Sequence, residues 1–311
     1  MTIPQPITRR PPIGITNLLA APRRATPAPA LLLLSALRVV ALRVVALRVV
    51  ALRVVALMLA PPTPTADVRA QAPSAATLAP AALLADSARL AIESAYSAGR
   101  PEAVADARGI AERGLQQQPA DALLLHYQAY AFFREAQLRR SDAARPLLER
   151  ARSAIEHSIA VRDLAESRAI LSATLGNLIG ASPFRAMRFG RASFSEIDKA
   201  VALEPENPRV WMLKGVGQLF APSIFGGGVD KAETSLRKAA AQFTADRPAP
   251  PLPAWGRAEV HGWLAIVLAR QKKGAEARAE LERGLALEPQ DAFLLLRAKP
   301  AVDSVAPPRV P

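Results

Sequence analysis

The sequence predicts an all-α protein built from about five repeated pairs of helices. Half of its 311 residues are hydrophobic and only 5% are aromatic. This composition, rich in Ala and Leu, favours close-packed helices over a β-sandwich or barrel. From about residue 80, small and apolar residues recur at steps of three and four, the spacing of one helical face. The pattern itself returns along the chain, which indicates a solenoid.

Residues 1–75 are predicted to be a signal-like leader followed by a Pro/Ala-rich linker. Arg23 and Arg24 precede four consecutive leucines at 31–34, and an apolar stretch continues to Ala60. Small residues at 70 and 72 have the spacing that a signal peptidase recognises. We therefore expect cleavage after Ala72 and a periplasmic or secreted bacterial protein. The alternative is a cytoplasmic adaptor with a mis-called N-terminus.

Within this leader, the pentapeptide Ala-Leu-Arg-Val-Val is read four times between Ala36 and Val55. Five residues turn a helix by about 500°, so the four Arg side chains point in unrelated directions and no apolar face survives. An Arg at the bilayer centre costs about 2.5–3.5 kcal/mol, whereas a Leu or Val returns about 0.3–0.6 kcal/mol. We expect no stable membrane span and interpret the tract as an expansion within an export signal. A basic membrane-surface element is the alternative.

The formal charge of +13 does not predict a nucleic-acid partner, because most of it lies in the leader. Residues 1–72 contain nine Arg and one acidic residue, which leaves +5 for all the rest. The chain has no Cys, so disulfides, thiolate metal sites and thiol nucleophiles are excluded. No motif indicates a cofactor.

The repeated element is a helix with a small residue, an apolar residue four positions later, and a second small residue after three more. The five copies are Ala107/Ala111/Gly114, Ala144/Leu148/Ala151, Ser193/Ile197/Ala200, Ala232/Leu236/Ala239 and Ala277/Leu281/Gly284. A companion helix precedes each copy with its own small residue, at Ala95, Ala129, Gly176, Gly215 and Ala265. Small side chains at these positions let neighbouring helices approach closely. The shortest spacings correspond to a period of about 34 residues, and longer spacings indicate insertions at 182–184, 221–228 and 247–253.

These features resemble the tetratricopeptide repeat (TPR) family, whose unit is a 34-residue helix–turn–helix. Pro119, Pro205 and Pro289 each follow the second small residue by five positions, where the family's repeat ends. The resemblance implies a right-handed superhelical solenoid of about five TPR-like pairs over residues 80–298, followed by a disordered tail at 299–311. The Phe-Gly-Gly-Gly turn at 225–228 is similar to exported bacterial repeat proteins of the TRAP-transporter-associated kind.

The resemblance also implies a non-catalytic scaffold that binds a peptide segment or a partner helix in its concave groove. In this family the companion helices line the groove. The predicted partner-binding residues are therefore His126, Tyr130, Phe133, Arg209 and Met212, with a candidate loop at Phe225, Gly226, Gly227 and Gly228. The alternative is that these side chains pack against the neighbouring repeat. The sequence does not identify the partner, for which a transporter or an envelope assembly is one expectation.

Other sites have weaker support. The three His residues fall on different repeats, and none has a carboxylate or a second His at the spacing of metal ligands, so a metal site is not favoured. The three Gly at 226–228 lack the spacing of a phosphate-binding loop. Aromatic and basic groups alternate in one inserted segment, a combination suited to single-stranded nucleic acid, but the segment is too short for a groove. Its members are Phe184, Arg185, Arg188, Phe189 and Arg191. An RNA-binding helical repeat and an enzyme with an unrecognised site are the less favoured alternatives.

Overall fold

A computed structural model describes residues 75–180 and 183–305, which belong to one compact unit spanning residues 72–311. Helices joined by turns and loops make up these ranges, and no strand occurs within them. None of the helices in the described part is long and apolar enough to cross a bilayer. The leader, its pentapeptide tract and the expected cleavage site lie outside the described residues.

The first ten α-helices of the described part fall into five consecutive pairs. The pairs are α1 (Ala75–Ser97) with α2 (Pro101–Gln117), α3 (Ala122–Leu138) with α4 (Ser141–Val161), α5 (Ala165–Leu178) with α6 (Pro183–Leu203), α7 (Pro208–Phe220) with α8 (Val229–Phe243), and α9 (Glu259–Arg270) with α10 (Gly274–Leu287). Each small–apolar–small stripe lies on the second helix of a pair, and each companion residue lies on the first. The predicted TPR-like solenoid is therefore confirmed.

Small residues are required where the two helices of a pair cross. A Cβ atom on Gly215 would lie 2.7 Å from Leu236 Cγ and 3.2 Å from the carbonyl oxygen of Ala232 on the facing helix. Both of those residues belong to the predicted stripe and are fully buried. The stripe and its companion thus contact each other directly, which sets how closely α7 and α8 approach.

The first helices form the inner row of the solenoid, because each packs against the first helix of the next pair. We call α1, α3, α5, α7 and α9 the inner helices and the others the outer helices. An outer helix such as α2 buries one stripe, whereas α3 and α5 are buried almost all round. A helix that is buried all round must be covered on two faces. The outer helices cover only one of them.

Local signals start the inner helices and shape the turns. The carboxylate of Asp121 accepts hydrogen bonds from the backbone N–H groups of Leu123 and Leu124, and the Asn207 side chain accepts one from Arg209 N–H. These are N-caps of α3 and α7. In the turn after α7, a Cβ on Gly227 would lie 1.9 Å from the carbonyl oxygen of Ala221, so only Gly fits there.

The C-terminal end differs from its prediction. A π-helical turn, Leu294–Ala298, continues directly into α11 (Lys299–Asp303), where a disordered tail was expected from residue 299. Pro300 does not prevent this helix because it lies in the first turn, where no N–H is needed. Val302 is buried against the last pair, and this apolar contact keeps the segment folded. Residues 306–311 lie outside the described part.

The loop between α8 and α9 crosses the inner side of the solenoid. We call residues 245–257 the strap; the segment contains four prolines, at 248, 250, 251 and 253. Its residues contact α3 and α7, which are inner helices of non-consecutive pairs. A segment that touches both must lie across the groove.

Two glycines of α7 provide a test of the packing. Gly215→Ala should destabilise the protein by up to about 2 kcal/mol, because overpacking costs about 1–3 kcal/mol and helix propensity returns less than about 1 kcal/mol. Gly217→Ala should instead stabilise it by about 0.5–1 kcal/mol, since its new Cβ meets nothing within 4 Å. Urea denaturation followed by circular dichroism measures both. Equal effects at the two positions would contradict close helix packing at Gly215.

Candidate functional site

The structure buries all five residues predicted to line an exposed groove. His126, Tyr130, Phe133, Arg209 and Met212 are each at most 3% exposed. Their placement on inner helices agrees with the sequence analysis, but their predicted exposure is wrong. The physical reason is that the chain's own strap, together with ion pairs across the groove, covers this inner face.

A single aromatic residue of the strap fills the centre of the groove. Trp255 is 5% exposed and stacks on Tyr130, with ring centroids 5.3 Å apart. The guanidinium of Arg134 lies 5.2 Å from the Trp255 ring centroid and 4.0 Å from that of Tyr96 on α1. The indole therefore occupies a slot formed by an aromatic face and a cation, an arrangement that binds aromatic rings well.

Arg134 also joins the two sides of the groove through a buried ion pair. Its Nη1 and Nη2 atoms donate to the two carboxylate oxygens of Glu259, the first residue of α9, at 3.0 and 2.6 Å. Its Nε donates to Tyr130 Oη at 3.0 Å. Burial by itself would lower the pKa of Arg134, but Glu259, Tyr130 and Tyr96 together outweigh this effect and the pKa is raised. Arg134 therefore keeps its charge in the interior.

A second buried arginine holds the beginning of the strap. Arg209 on α7 donates from Nη1 and Nη2 to the two carboxylate oxygens of Asp246 at 2.8 and 2.9 Å. Glu166 on α5 lies on the other side, 3.4 Å from Arg209 Nε, and accepts a 2.7 Å hydrogen bond from Asn207. The paired guanidinium nitrogens match the geometry of a carboxylate. Arg209 thus binds an acidic side chain of the strap.

Two further contacts fix the middle and the end of the strap. The hydroxyl of Tyr127 on α3 donates a hydrogen bond to the backbone carbonyl of Pro251. At Gly256, with φ +100°, an added Cβ would lie 3.2 Å from Met212 Cε and 3.0 Å from Phe243 Cζ. The backbone there lies directly on the apolar floor, which explains why Met212 is buried.

His126 lies behind Tyr130 in a buried polar cluster. Its ring stacks on Tyr130 at 6.2 Å, and its Nδ1 lies 3.0 Å from Ser167 Oγ, which in turn is 3.1 Å from Ser158 Oγ. Burial lowers the pKa of His126 to about 4, so the ring is neutral at physiological pH. Within the described ranges, no group of His, Asp and Glu side chains is arranged to hold a metal ion.

A partly buried carboxyl, that of Glu93, lies beside the groove on α1. Burial raises the pKa of Glu93 to about 7, and the nearby Arg89 and Arg134 only partly oppose it. Arg89 Nη1 lies 3.4 Å from Glu93 Oε2, while Glu93 Oε1 has no hydrogen-bond partner in the described part of the chain. No sequence pattern pointed to this residue, because its environment depends on helices distant in the chain.

The candidate loop at 225–228 and the inserted segment at 184–191 make none of the groove contacts described above, and each has an exposed aromatic residue. Phe225, the last residue of a 3-10 turn, is 58% exposed, and Gly226 and Gly228 adopt positive φ, as the predicted tight turn requires. Phe184 is 69% exposed at the start of α6. By contrast, Phe189 is half-buried and packs against the core beneath the guanidinium groups of Arg152 and Arg188.

The first and last pairs meet at one edge of the groove. Ser97 at the end of α1 donates a 2.9 Å hydrogen bond to Glu288, which follows α10. A Cβ on Gly99 would lie 2.8 Å from Ala292 Cβ. The inner face is therefore bounded by all five pairs, and the strap lies across it. This surface offers an aromatic slot, an arginine fork and a hydroxyl donor, which together hold the strap.

Comparison with known proteins supports the fold. No family model matches the chain, and no curated protein matches it in sequence. Among solved structures, TTC0263, a thermophilic TPR protein of Thermus thermophilus, superimposes with a TM-score of 0.51 at 20% identity, over 69% of this chain and 97% of its own. This likeness shows a TPR-like fold.

Two other solved structures align less closely. The HusA haemophore of Porphyromonas gingivalis has a TM-score of 0.49 at 23% identity, over 55% of this chain and 86% of its own. The APC/C hetero-tetramer Cut9–Hcn1 has a TM-score of 0.44 at 14% identity, over 65% of this chain and 33% of its own. Neither likeness carries an argument about this chain.

Replacing the buried Arg134 should lower the free energy of unfolding strongly. Arg134→Leu leaves Glu259 buried and unpaired, and breaking such a pair costs about 3–5 kcal/mol. Arg145→Ala is the matched control, because its ion pair with Glu149 is exposed and is worth less than about 1 kcal/mol. Urea denaturation of both variants measures the difference. A loss below about 1 kcal/mol for Arg134→Leu would contradict the buried pair.

Glu93 should make stability fall as pH rises from about 4.5 to 8. A carboxyl whose pKa is raised by folding binds its proton more tightly in the native state, so that stabilisation is lost through this window. The full pKa shift of Glu93 corresponds to about 3 kcal/mol in the free energy of unfolding. Because the side chain is a quarter exposed, we expect a change of about 1–3 kcal/mol. Glu93→Gln should therefore gain stability over the wild type at pH 8 and little at pH 5.

Urea denaturation at the two pH values provides the measurement for Glu93. Glu102→Gln serves as the control, because this exposed carboxylate is paired with Arg139 and its pKa is lowered. The control should show no gain at pH 8. An equal effect of Glu93→Gln at both pH values would contradict the raised pKa.

Proposed function

We propose that this chain is a non-catalytic protein-interaction scaffold of the bacterial cell envelope, and that the inner face of its TPR-like solenoid binds an extended segment of a partner protein. One observation carries the proposal: the inner face already holds a proline-rich segment without helix or strand, the strap, through side chains of α3 and α7. Tyr130 and Arg134 bind its indole, Arg209 its carboxylate and Tyr127 its backbone carbonyl. Helical repeats use such surfaces for extended ligands.

Binding is a better use of this surface than catalysis. The charged groups of the groove are engaged with one another in ion pairs, as in Arg134 with Glu259 and Arg209 with Asp246. A general acid or base needs a reacting group within hydrogen-bond reach. Here the arginines form ion pairs with carboxylates and lie over aromatic rings, as side chains of a recognition surface do.

The proposal of an envelope location rests on the sequence of the leader. Its paired arginines, apolar stretch and small residues before Pro73 favour export. The Phe-Gly-Gly-Gly turn favours a transporter or an envelope assembly as the class of partner. The competing proposal is that the protein is a cytoplasmic adaptor.

Amino-terminal sequencing of the protein from a bacterial host tests the location. We expect the mature chain to begin at Pro73 and to be released with the periplasmic fraction. An intact Met1 in the cytosol would contradict export.

Photo-crosslinking from native envelopes tests the binding surface. A photoreactive residue at exposed Leu252 in the strap should crosslink one specific partner, and the same residue at exposed His157 on α4 should not. Crosslinking of the same partner from position 157 but not from 252 would place the interface on the outer helices and contradict the proposal.

A further inference from the structure

The strap has the properties of a bound ligand more than of a structural loop. Its described backbone–backbone hydrogen bonds are local, such as Leu252 N–H to the carbonyl of Ala249, so it adds no helix or strand to the solenoid. Its contacts with α3 and α7 come from a few side chains and one backbone carbonyl. Four prolines restrict the unbound chain, which lowers the conformational entropy lost when an extended segment is bound.

One face of the strap is buried and the other is exposed. Pro253 and Trp255 are buried, whereas Arg247, Pro250 and Leu252 are exposed. The strap is thus a single layer with one face on the inner helices and the other in solvent. A layer of this kind is able to separate from the groove without unpacking any helix pair.

The fit of the strap is incomplete at its anchor. The Nε1 atom of Trp255 is buried and has no acceptor in the described part of the chain, and His126 Nε2, on the other side of Tyr130, is also without a partner there. An unsatisfied buried N–H group weakens the hold of the indole on the slot. A segment that satisfied these groups would compete effectively with the strap.

We infer that the strap occupies, in cis, the site at which the groove binds its partner. This partner presents a proline-rich segment without helix or strand, with a carboxylate for Arg209 and an aromatic ring for the slot at Tyr130 and Arg134. The inference rests on the proposed function and deepens it by naming the class of ligand. Binding then requires exchange of the strap for the partner segment. The covalent linkage keeps the strap at a high effective concentration, so the wild-type groove is largely closed.

A strap peptide supplied in trans tests this inference. The receptor is the full chain in which residues 245–255 are replaced by a Gly/Ser segment of equal length, and the probe is a fluorescein-labelled synthetic peptide of residues 245–257. Fluorescence anisotropy should show saturable binding to the replaced chain and at least about tenfold weaker binding to the wild type. Peptides carrying Asp246→Ala or Trp255→Ala should each bind at least about tenfold more weakly than the native peptide.

A scrambled peptide of the same composition is the control for the probe, and circular dichroism establishes that the replaced chain keeps its helices. Should the replaced chain fail to fold, the Trp255→Ala full chain serves as receptor, with its own strap weakened at the anchor. Binding of the scrambled peptide as tight as the native one, or no binding to a folded receptor, would overturn the inference.

The outcomes separate the inference from the proposed function. Peptide binding to the replaced chain, together with crosslinking of the envelope partner from position 157 but not from position 252, supports the groove chemistry and contradicts the proposed function. If a partner is crosslinked from residue 252 of the wild type and no folded receptor binds the peptide, the result supports the proposed function and contradicts the inference.

Discussion

Burial of both faces of the inner helices is the constraint on which this structure depends. Side chains such as Leu124 and Tyr130 on α3, and Ile170 on α5, are at most 1% exposed, so water must be excluded from both sides of the inner row. The outer helices cover one side by approaching at small residues. The other side faces the groove, and there the chain covers itself with a segment that belongs to no helix.

The groove contains polar contacts where a simple core would be apolar. Arg134 and Arg209 are buried, and each has a carboxylate partner contributed by a different part of the chain. Such pairs are costly to desolvate and add little net stability compared with well-packed apolar groups. Their value lies in selection, because a guanidinium fork accepts a carboxylate in one geometry and rejects most other groups. This favours recognition as the role of the groove.

The sequence predicted the repeat, the helix pairs and the crossing residues, because each of these depends on local spacing. Gly215 and Leu236 belong to one helix pair, and their periodicity is visible without a structure. The filling of the groove could not be predicted, since Tyr130 and Trp255 lie 125 positions apart and no period connects them. The available signal was the proline-rich insertion at 247–253, which ends two residues before Trp255. The continuation of the final helical segment to Asp303 was missed for a similar reason, because it depends on the packing of Val302 against the last pair.

The most direct test of this account is the environment of Trp255 in solution. A chain carrying Trp211→Phe and Trp263→Phe retains only this indole, and circular dichroism verifies that it is folded. The account predicts blue-shifted emission and slow acrylamide quenching, both lost when the protein is unfolded in urea. Emission and quenching identical to those of the unfolded chain would show that the strap is free in solution and the groove open, which would contradict the account.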